Sequence, residues 1–308
     1  MTQSQDGIGR RGALECMVWA GAGVLWTVAG GVPRGRLIGA AEAAEAGTLQ
    51  FVQISDSHIG FKNPPNPDTP GTLTEAIGKV KAQASKAAFM LHTGDVSHLS
   101  RPAEFDTAEQ INGGAGLEVH YVPGEHDVLV DDGKPFFARF TKGGERGWYS
   151  WDQDGVHFVG LNNVQDLKAG GLGNLGAAQL DWLRRDLQSK ADSQPIVVFA
   201  HIPLWTISEQ WGWGTDDAAQ ALALLRRCGS VTVLNGHIHQ VMQKVEGNVA
   251  FHTARSTAFP QPAPGTAPSP GPIKDLPAGK LRSVLGIATV RRVEGQAALA
   301  IVDQPLEG

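Results

Sequence analysis

Cysteine is almost missing from this chain: 308 residues contain two, Cys16 and Cys228. Cys16 lies in an N-terminal segment of distinct character, so the rest of the chain has Cys228 alone and no internal disulfide. Cys228 ends an apolar, helix-like stretch (218–227) and is expected to be buried and inert. An excess of basic charge is also missing. Lys and Arg number 26 against 31 Asp and Glu, a net charge of −5, so no nucleic-acid-binding surface is indicated. No run of like charge suggests an interaction tail, and no repeat recurs at a fixed period. Nothing reads as a Walker loop or a dinucleotide fingerprint. The absence of Gly-x-Ser-x-Gly, together with the isolation of Cys228, argues against a serine- or cysteine-based hydrolase.

A long, strongly hydrophobic run is missing as well. The nearest thing to one, Cys16 to Val32, is weakly apolar and broken by Gly21, Gly23, Gly30 and Gly31. Arg10-Arg11 precedes it and Ala44-Glu45-Ala46 follows, a small-x-small cleavage pattern. A cationic start, an apolar middle and a small-residue end describe an export signal over residues 1–46. The arginine pair resembles a twin-arginine signal, which implies the twin-arginine (Tat) export machinery as a partner and a periplasmic or secreted mature protein. The match is partial, because Gly12-Ala13-Leu14-Glu15 stands where such signals have x-Phe-Leu-Lys. An uncleaved membrane anchor is the alternative. Cys16 lies before the apolar stretch and so is no lipoprotein anchor.

What the chain does contain is a set of short apolar runs that each end in metal-binding residue types. The run 49–54 leads to Asp56 and His58, 88–92 to Gly94-Asp95, and 118–122 to Gly124-Glu125-His126-Asp127. The run 196–200 leads to His201, and 231–235 to Gly236-His237-Ile238-His239. Short apolar runs bounded by turn residues read as buried strands, and α/β sheets place their ligands just beyond the carboxyl ends of strands. The five runs therefore predict one rim of oxygen and nitrogen ligands, a two-metal hydrolytic site.

Helical patterns alternate with the strands at 73–88, 103–111 and 177–187, the last with Leu180, Leu183 and Leu187 on one face and Trp182 beside it. A second sheet is expected from strands at 148–151, 157–161, 241–245, 249–253, 282–290 and 297–302, with a hairpin turn at Glu246-Gly247-Asn248. The Pro/Gly-rich stretch 260–277 reads as an irregular loop inside a single domain, 47–308. The expected fold class is α/β: two mixed sheets face to face with helices outside.

The ordered set Asp56-x-His58, Gly94-Asp95, Gly124-x-His126-Asp127, His201 and Gly236-His237-x-His239 resembles the calcineurin-like metallophosphoesterase superfamily. The resemblance spans roughly residues 49–253 and implies a four-layer α/β/β/α sandwich holding two metal ions. It implies that Asp56, His58 and His239 hold one metal, that His201 and His237 hold the other, and that Asp95 bridges both. It also implies that a metal-bound hydroxide attacks phosphorus while His126 donates a proton to the leaving oxygen. The residue types suit this: carboxylate and imidazole favour Mn, Fe or Zn, and one carboxylate can span two metals about 3.5–4 Å apart. A histidine is suited to general-acid work near neutral pH.

Two positions depart from the family pattern. Glu125 stands where an asparagine is usual. A carboxylate there can still ligate metal, but it offers no N–H to a phosphate and adds a negative charge. Two divalent cations against three carboxylates leave one positive charge instead of two, which favours a singly charged diester over a monoester dianion. The alternative is that Glu125 turns away. His98 stands where a second aspartate is frequent; it can orient His126, bind substrate, or sit in solvent. His92, His120, His157 and His252 fall within strand-like runs and are expected to be core or sheet-face residues. The loop 170–176, Asn162, Asn163, Trp211 and Trp213 are candidates for the rim of a pocket, and Trp205 for structural packing. The expected function is hydrolysis of a small-molecule phosphoester, a phosphodiester above all. The alternatives are a phosphomonoesterase with the same site or a metal-binding protein with little catalysis.

Overall fold

A computed structural model describes residues 23–29, 32–38, 49–83, 86–141, 144–293 and 298–307. In chain order the main elements are β1 (Gly23–Ala29), β2 (Val32–Ile38), β3 (Gln50–Ile54), α1 (Thr69–Gln83), β4 (Met90–His92), α2 (Pro102–Gly113) and β5 (Val119–Tyr121). There follow α3 (Lys134–Phe140), β6 (Tyr149–Gln153), β7 (Val156–Gly160), α4 (Gly176–Gln188), β8 (Ile196–Phe199) and α5 (Ala218–Leu225). The last are β9 (Val231–Asn235), β10 (Gln243–Glu246), β11 (Val249–Thr253), α6 (Leu281–Val284), β12 (Gly286–Arg291) and β13 (Ala300–Pro305).

These strands form two mixed sheets. The first has the order β2-β1-β13-β12-β3-β4-β5 and the second β10-β11-β9-β8-β7-β6. In the first, β3, β4 and β5 are parallel and β12 runs antiparallel beside β3, with Ala288 opposite Gln53. In the second, β7, β8, β9 and β11 are parallel, with β6 and β10 antiparallel at the edges.

Side chains alternate across each strand, and that alternation makes the layers. On β3, Val52 and Ile54 face outward and join Leu73 and Ala76 of α1 and Phe105 of α2 in one core. Phe51 of the same strand faces inward, where it meets Phe89, Phe158 and Phe199 between the sheets. On β8, Ile196 and Val198 pack outward with Leu180, Leu183 and Leu187 of α4, while Val197 turns inward. The result is the expected α/β/β/α sandwich. The Phe51 and Phe89 rings stack 5.0 Å apart at its centre. Truncating one of them to alanine would cost about 3–5 kcal/mol.

The expected helices form, with shifted ends: α1 starts four residues earlier than the pattern suggested, and α2 opens with Pro102 at its first turn. Glu104 reaches back to accept the Leu99 N–H at 2.8 Å, satisfying a donor just before the helix start. Cys228, His92, His120, His157 and His252 are all buried. The two C-terminal strands, expected in the second sheet, instead belong to the first, where β12 pairs with β3 and β13 with β12. One strand was read too long. The stretch 282–290 divides into α6 and β12, because the N–H of Leu285 closes a helical turn onto the carbonyl of Leu281 before the chain extends.

Within 1–46, the described residues are β1 and β2, an antiparallel hairpin joined to the body through Val24 opposite Ile301. Val24, Leu25, Trp26, Thr27 and Val28 are strand-favouring types, which accounts for the strand. Arg10-Arg11 and Ala44-Glu45-Ala46 lie outside the described residues. Among those described, no helix is long and apolar enough to cross a membrane.

Candidate metal centre

The carboxyl ends of β3, β4 and β5 meet those of β8 and β9 at one edge of the sandwich, and every residue expected at the rim is there. Two triads can be drawn whose donor atoms all lie within 4.8 Å of one another: Asp56, His58 and His239, and Glu125, His201 and His237. Asp95 stands between them. Its Oδ2 is 3.4 Å from His58 Nε2 and 3.4 Å from His201 Nε2, one on each side. Glu125 faces the centre, with Oε2 2.9 Å from His201 Nε2 and Oε1 3.0 Å from His237 Nδ1. It does not turn away.

The backbone is forced into this arrangement. Asp56, His58, Asp95, His237 and His239 all have φ between 42° and 69°, the left-handed region that costs a side-chain-bearing residue energy. Gly94 precedes Asp95 with φ of 96°, and a Cβ there would overlap the His201 ring. A Cβ on Gly236 would overlap the Ser55 hydroxyl, so the Gly-Asp and Gly-His motifs need glycine for space.

Backbone carbonyls fix the imidazoles from behind. His201 Nδ1 donates to the Thr93 carbonyl at 2.7 Å and His239 Nδ1 to the Phe259 carbonyl at 2.5 Å. Each leaves Nε2 bare toward the centre, the tautomer a metal requires. His201 Nε2, both ring nitrogens of His237 and Glu125 Oε2 are buried and, beyond the close approaches to one another given above, make no well-formed hydrogen bond. Buried polar atoms are rarely left so. Lone pairs from imidazole and carboxylate converging in two groups fit two metal ions of the Mn, Fe or Zn type.

The electrostatics agree. Burial, with the His126 and His239 rings next, holds His58 well below the usual histidine range, so it stays a neutral ligand. Burial alone would raise the Asp56 carboxyl, but His239 and His201 bring it down to about 2. Burial also acts to raise Glu125, and the neighbouring His237 and His201 outweigh it and hold the acid well below its ordinary value. Burial pulls His201 down, yet the Asp95 and Glu125 carboxylates raise it well above the ordinary range. The carboxylates thus demand positive charge at the centre, and a metal ion supplies what a proton otherwise would.

His126 borders the same cleft. Its N–H donates to Asp95 at 2.9 Å and its Nδ1 to the His98 carbonyl at 2.7 Å, which leaves Nε2 free. The His98 ring stacks on it at 4.8 Å and lies with Nδ1 3.3 Å from His58 Nδ1, so His98 is a neighbour of the centre and not a solvated loop residue. Asp127, quoted in the motif but given no role from sequence, is fully buried and accepts from the N–H groups of Gly124, Val96 and Ser97 and from the Ser97 hydroxyl. It clamps the Asp95 loop to the Glu125 loop. A lone buried acid within a ligand motif is the signal that could have pointed to it.

A profile of the calcineurin-like phosphoesterase family matches residues 49–241, well over half of the chain. The chain belongs to this family. Among its relatives, a 3′,5′-cyclic-nucleotide phosphodiesterase of Nostoc sp. is 26% identical over 221 residues, 68% of this chain and 79% of the relative. A 3′,5′-cyclic adenosine monophosphate phosphodiesterase of Pseudomonas aeruginosa is 26% identical over 235 residues, 73% of this chain and 81% of the relative. In fold the chain is similar to a dimetal phosphatase from Danio rerio, with a TM-score of 0.63 at 14% identity over 84% of this chain and 97% of that one. It is therefore a phosphoric ester hydrolase of the calcineurin-like family with a site for two metal ions.

A cleft of about 380 Å³ opens over the centre. Its walls include Phe61, Phe259, Leu167, Gly171, Trp211 and Trp213, so the glycine loop and the two tryptophans do form rim. Trp205 instead packs on Phe251 at 5.0 Å. Neither Asn162 nor Asn163 lines this cleft. Asn163 donates to the Ile202 carbonyl and the Thr215 hydroxyl, and Asn162 to the Arg146 carbonyl, so both are spent on tying loops together.

Proposed function

We propose that the chain hydrolyses phosphodiesters carrying an apolar or aromatic substituent, with Asp56, His58 and His239 holding one metal, Glu125, His201 and His237 the other, and Asp95 shared. The observation that carries the substrate reading is the charge of the cleft. Its lining residues include Asp95 and Glu125 but no lysine or arginine. A monoester dianion would find no cationic side chain there, whereas a diester brings one negative charge and a second substituent for the aromatic wall. When bound, two cations stabilise charge developing on the phosphoryl oxygens and acidify a water. His126 acts as the general acid, since its Nδ1 is committed to the His98 carbonyl and Nε2 remains to protonate a departing alkoxide.

The names of the two cyclic-nucleotide relatives make cyclic diesters the first natural candidates. Export through a twin-arginine-type signal over residues 1–46 belongs to the same proposal and would put the substrate outside the cytoplasm. A reporter fused to that segment tests it through dependence on the arginine pair.

The activity test is metal analysis of the purified chain with hydrolysis of bis-p-nitrophenyl phosphate and p-nitrophenyl phosphate in manganese. Two metals per chain and a faster diester reaction are expected. A faster monoester reaction would favour the phosphomonoesterase alternative, and two metals with neither reaction would favour a binding role.

A further inference from the structure

We propose that Gln261 is a positioning residue that ties the proline-rich wall of the cleft to His237, so that the wall and the second metal triad move as one. The proposal rests on the reading that the triads hold metal ions.

Gln261 lies beyond residues 49–241, the part matched by the family profile. Its side chain makes two bonds in opposite senses. Nε2 donates to the His237 carbonyl at 2.9 Å, and Oε1 accepts the Gly271 N–H at 2.9 Å. Of the common side chains of this length, only a glutamine can do both. The Gly271 N–H is the single backbone donor in Pro270-Gly271-Pro272, because proline has none. This tip borders the cleft together with Gln261. Gln240 supports the near limb by donating to the carbonyls of Gln261 and Pro262 at 3.2 and 3.1 Å, and Ile273 N–H closes the loop onto the Pro260 carbonyl at 3.1 Å.

At the other end of the tie, His237 is held in the left-handed region with φ of 69°. Its two peptide groups are gripped from different places. Its N–H donates to the Asp56 carboxylate at 3.0 Å, and its carbonyl accepts from Gln261. Among the described residues no carbonyl stands behind the ring, whose one close polar neighbour is Glu125 Oε1, 3.0 Å from Nδ1 in the same triad. His201 and His239 are oriented by carbonyls behind their rings, whereas His237 depends on its backbone being pinned. Loss of the Gln261 bond therefore loosens the imidazole of the second triad that has no carbonyl behind its ring.

Two variants separate the two bonds. Gln261→Met removes both. Gln261→Glu can still accept from Gly271 but cannot donate to His237. With manganese-loaded full-length protein, we would measure the rate of manganese loss to excess EDTA and the hydrogen exchange of the Gly271 amide. The methionine variant is expected to lose the more weakly held manganese about tenfold faster, the size of effect typical of outer-sphere support, and to exchange Gly271 at least about tenfold faster. The glutamate variant is expected to lose manganese as quickly while keeping Gly271 protected, and it carries the test by itself should the methionine variant not fold. Wild-type manganese retention in both variants would overturn the coupling even though the metal reading stood. A wild-type chain that took up no manganese would overturn the metal reading and the coupling together.

Discussion

Two histidine–carboxylate clusters stand at opposite ends of the second sheet, and they are built from the same residue types. At the amino end, His157 bonds Asp152 through Nδ1 at 3.1 Å and Asp186 through Nε2 at 2.7 Å. Ser150 donates to Asp186, and Lys190 and Gln194 donate to Asp152, so the cluster is closed on itself. At the carboxyl end, four buried polar atoms of His201, His237 and Glu125 crowd together without a well-formed hydrogen bond, beside five residues in left-handed backbone. The first cluster is complete as it stands and needs nothing from outside. The second is complete only with a cation. Convergence of several donor atoms on one point, not residue composition, separates the second cluster from the first.

The largest effect expected from this contrast is at the shared carboxylate. Asp95→Asn should reduce phosphoester hydrolysis to the level of the metal-stripped protein and lower bound metal below two per chain, read by metal analysis alongside the assay; full activity would break the comparison. His126→Ala should keep both metals and lower kcat on a cyclic nucleotide by about 10²–10⁴-fold, the range for a lost general acid. On a p-nitrophenyl diester the loss should be much smaller, because p-nitrophenolate departs without a proton. Equal losses on both esters would assign His126 another role.

Glu125→Asn sharpens the comparison from the metal side. Restoring one unit of positive charge should raise the monoester-to-diester rate ratio, on the order of tenfold for a charge a few ångströms away in a partly buried site. An unchanged ratio with unchanged metal content would show that Glu125 does not set the preference.

The smallest effects belong to the closed cluster. His157→Ala should cost about 2–3 kcal/mol by leaving Asp186 without its main partner, with kcat and metal content untouched. The loss should depend on pH. Burial favours the neutral Asp186 acid, but hydrogen bonds from His157 and Ser150 outweigh it and hold its pKa below the ordinary value of 3.8. Its stabilisation is therefore present above about pH 4 and lost as pH falls through the lower folded value. Melting of wild type and Asp186→Asn as a function of pH should converge in acid; parallel curves would place the stabilisation elsewhere.

Much of this was legible in the sequence because ligands at strand ends are a local signal: each apolar run states where its strand stops, and the next few residues state the chemistry. Asp56, His58, Asp95, Glu125, His126, His201, His237 and His239 could all be read in that way. The partners that orient them could not. His201, His239 and His126 are held by carbonyls of Thr93, Phe259 and His98, and a backbone carbonyl has no signature in a sequence. The wall at 260–277 has no periodicity, so Gln261 looked like any loop residue. The short turn of α6 was hidden because Val284, Leu285 and Ile287 suit a strand equally well.

One pairing in the first sheet has a consequence for how the protein is made. The strand that carries Asp56 and His58 toward the rim is flanked on one side by β12, and Ser256 bonds the Asp56 carbonyl across 200 positions of chain. On a ribosome, β3 emerges long before β12 and must wait for that neighbour to be made. Such distant pairing slows folding, so the rim cannot be completed until β12 has emerged, and a nascent chain truncated before β12 would expose the apolar flank of β3 to any chaperone that met it.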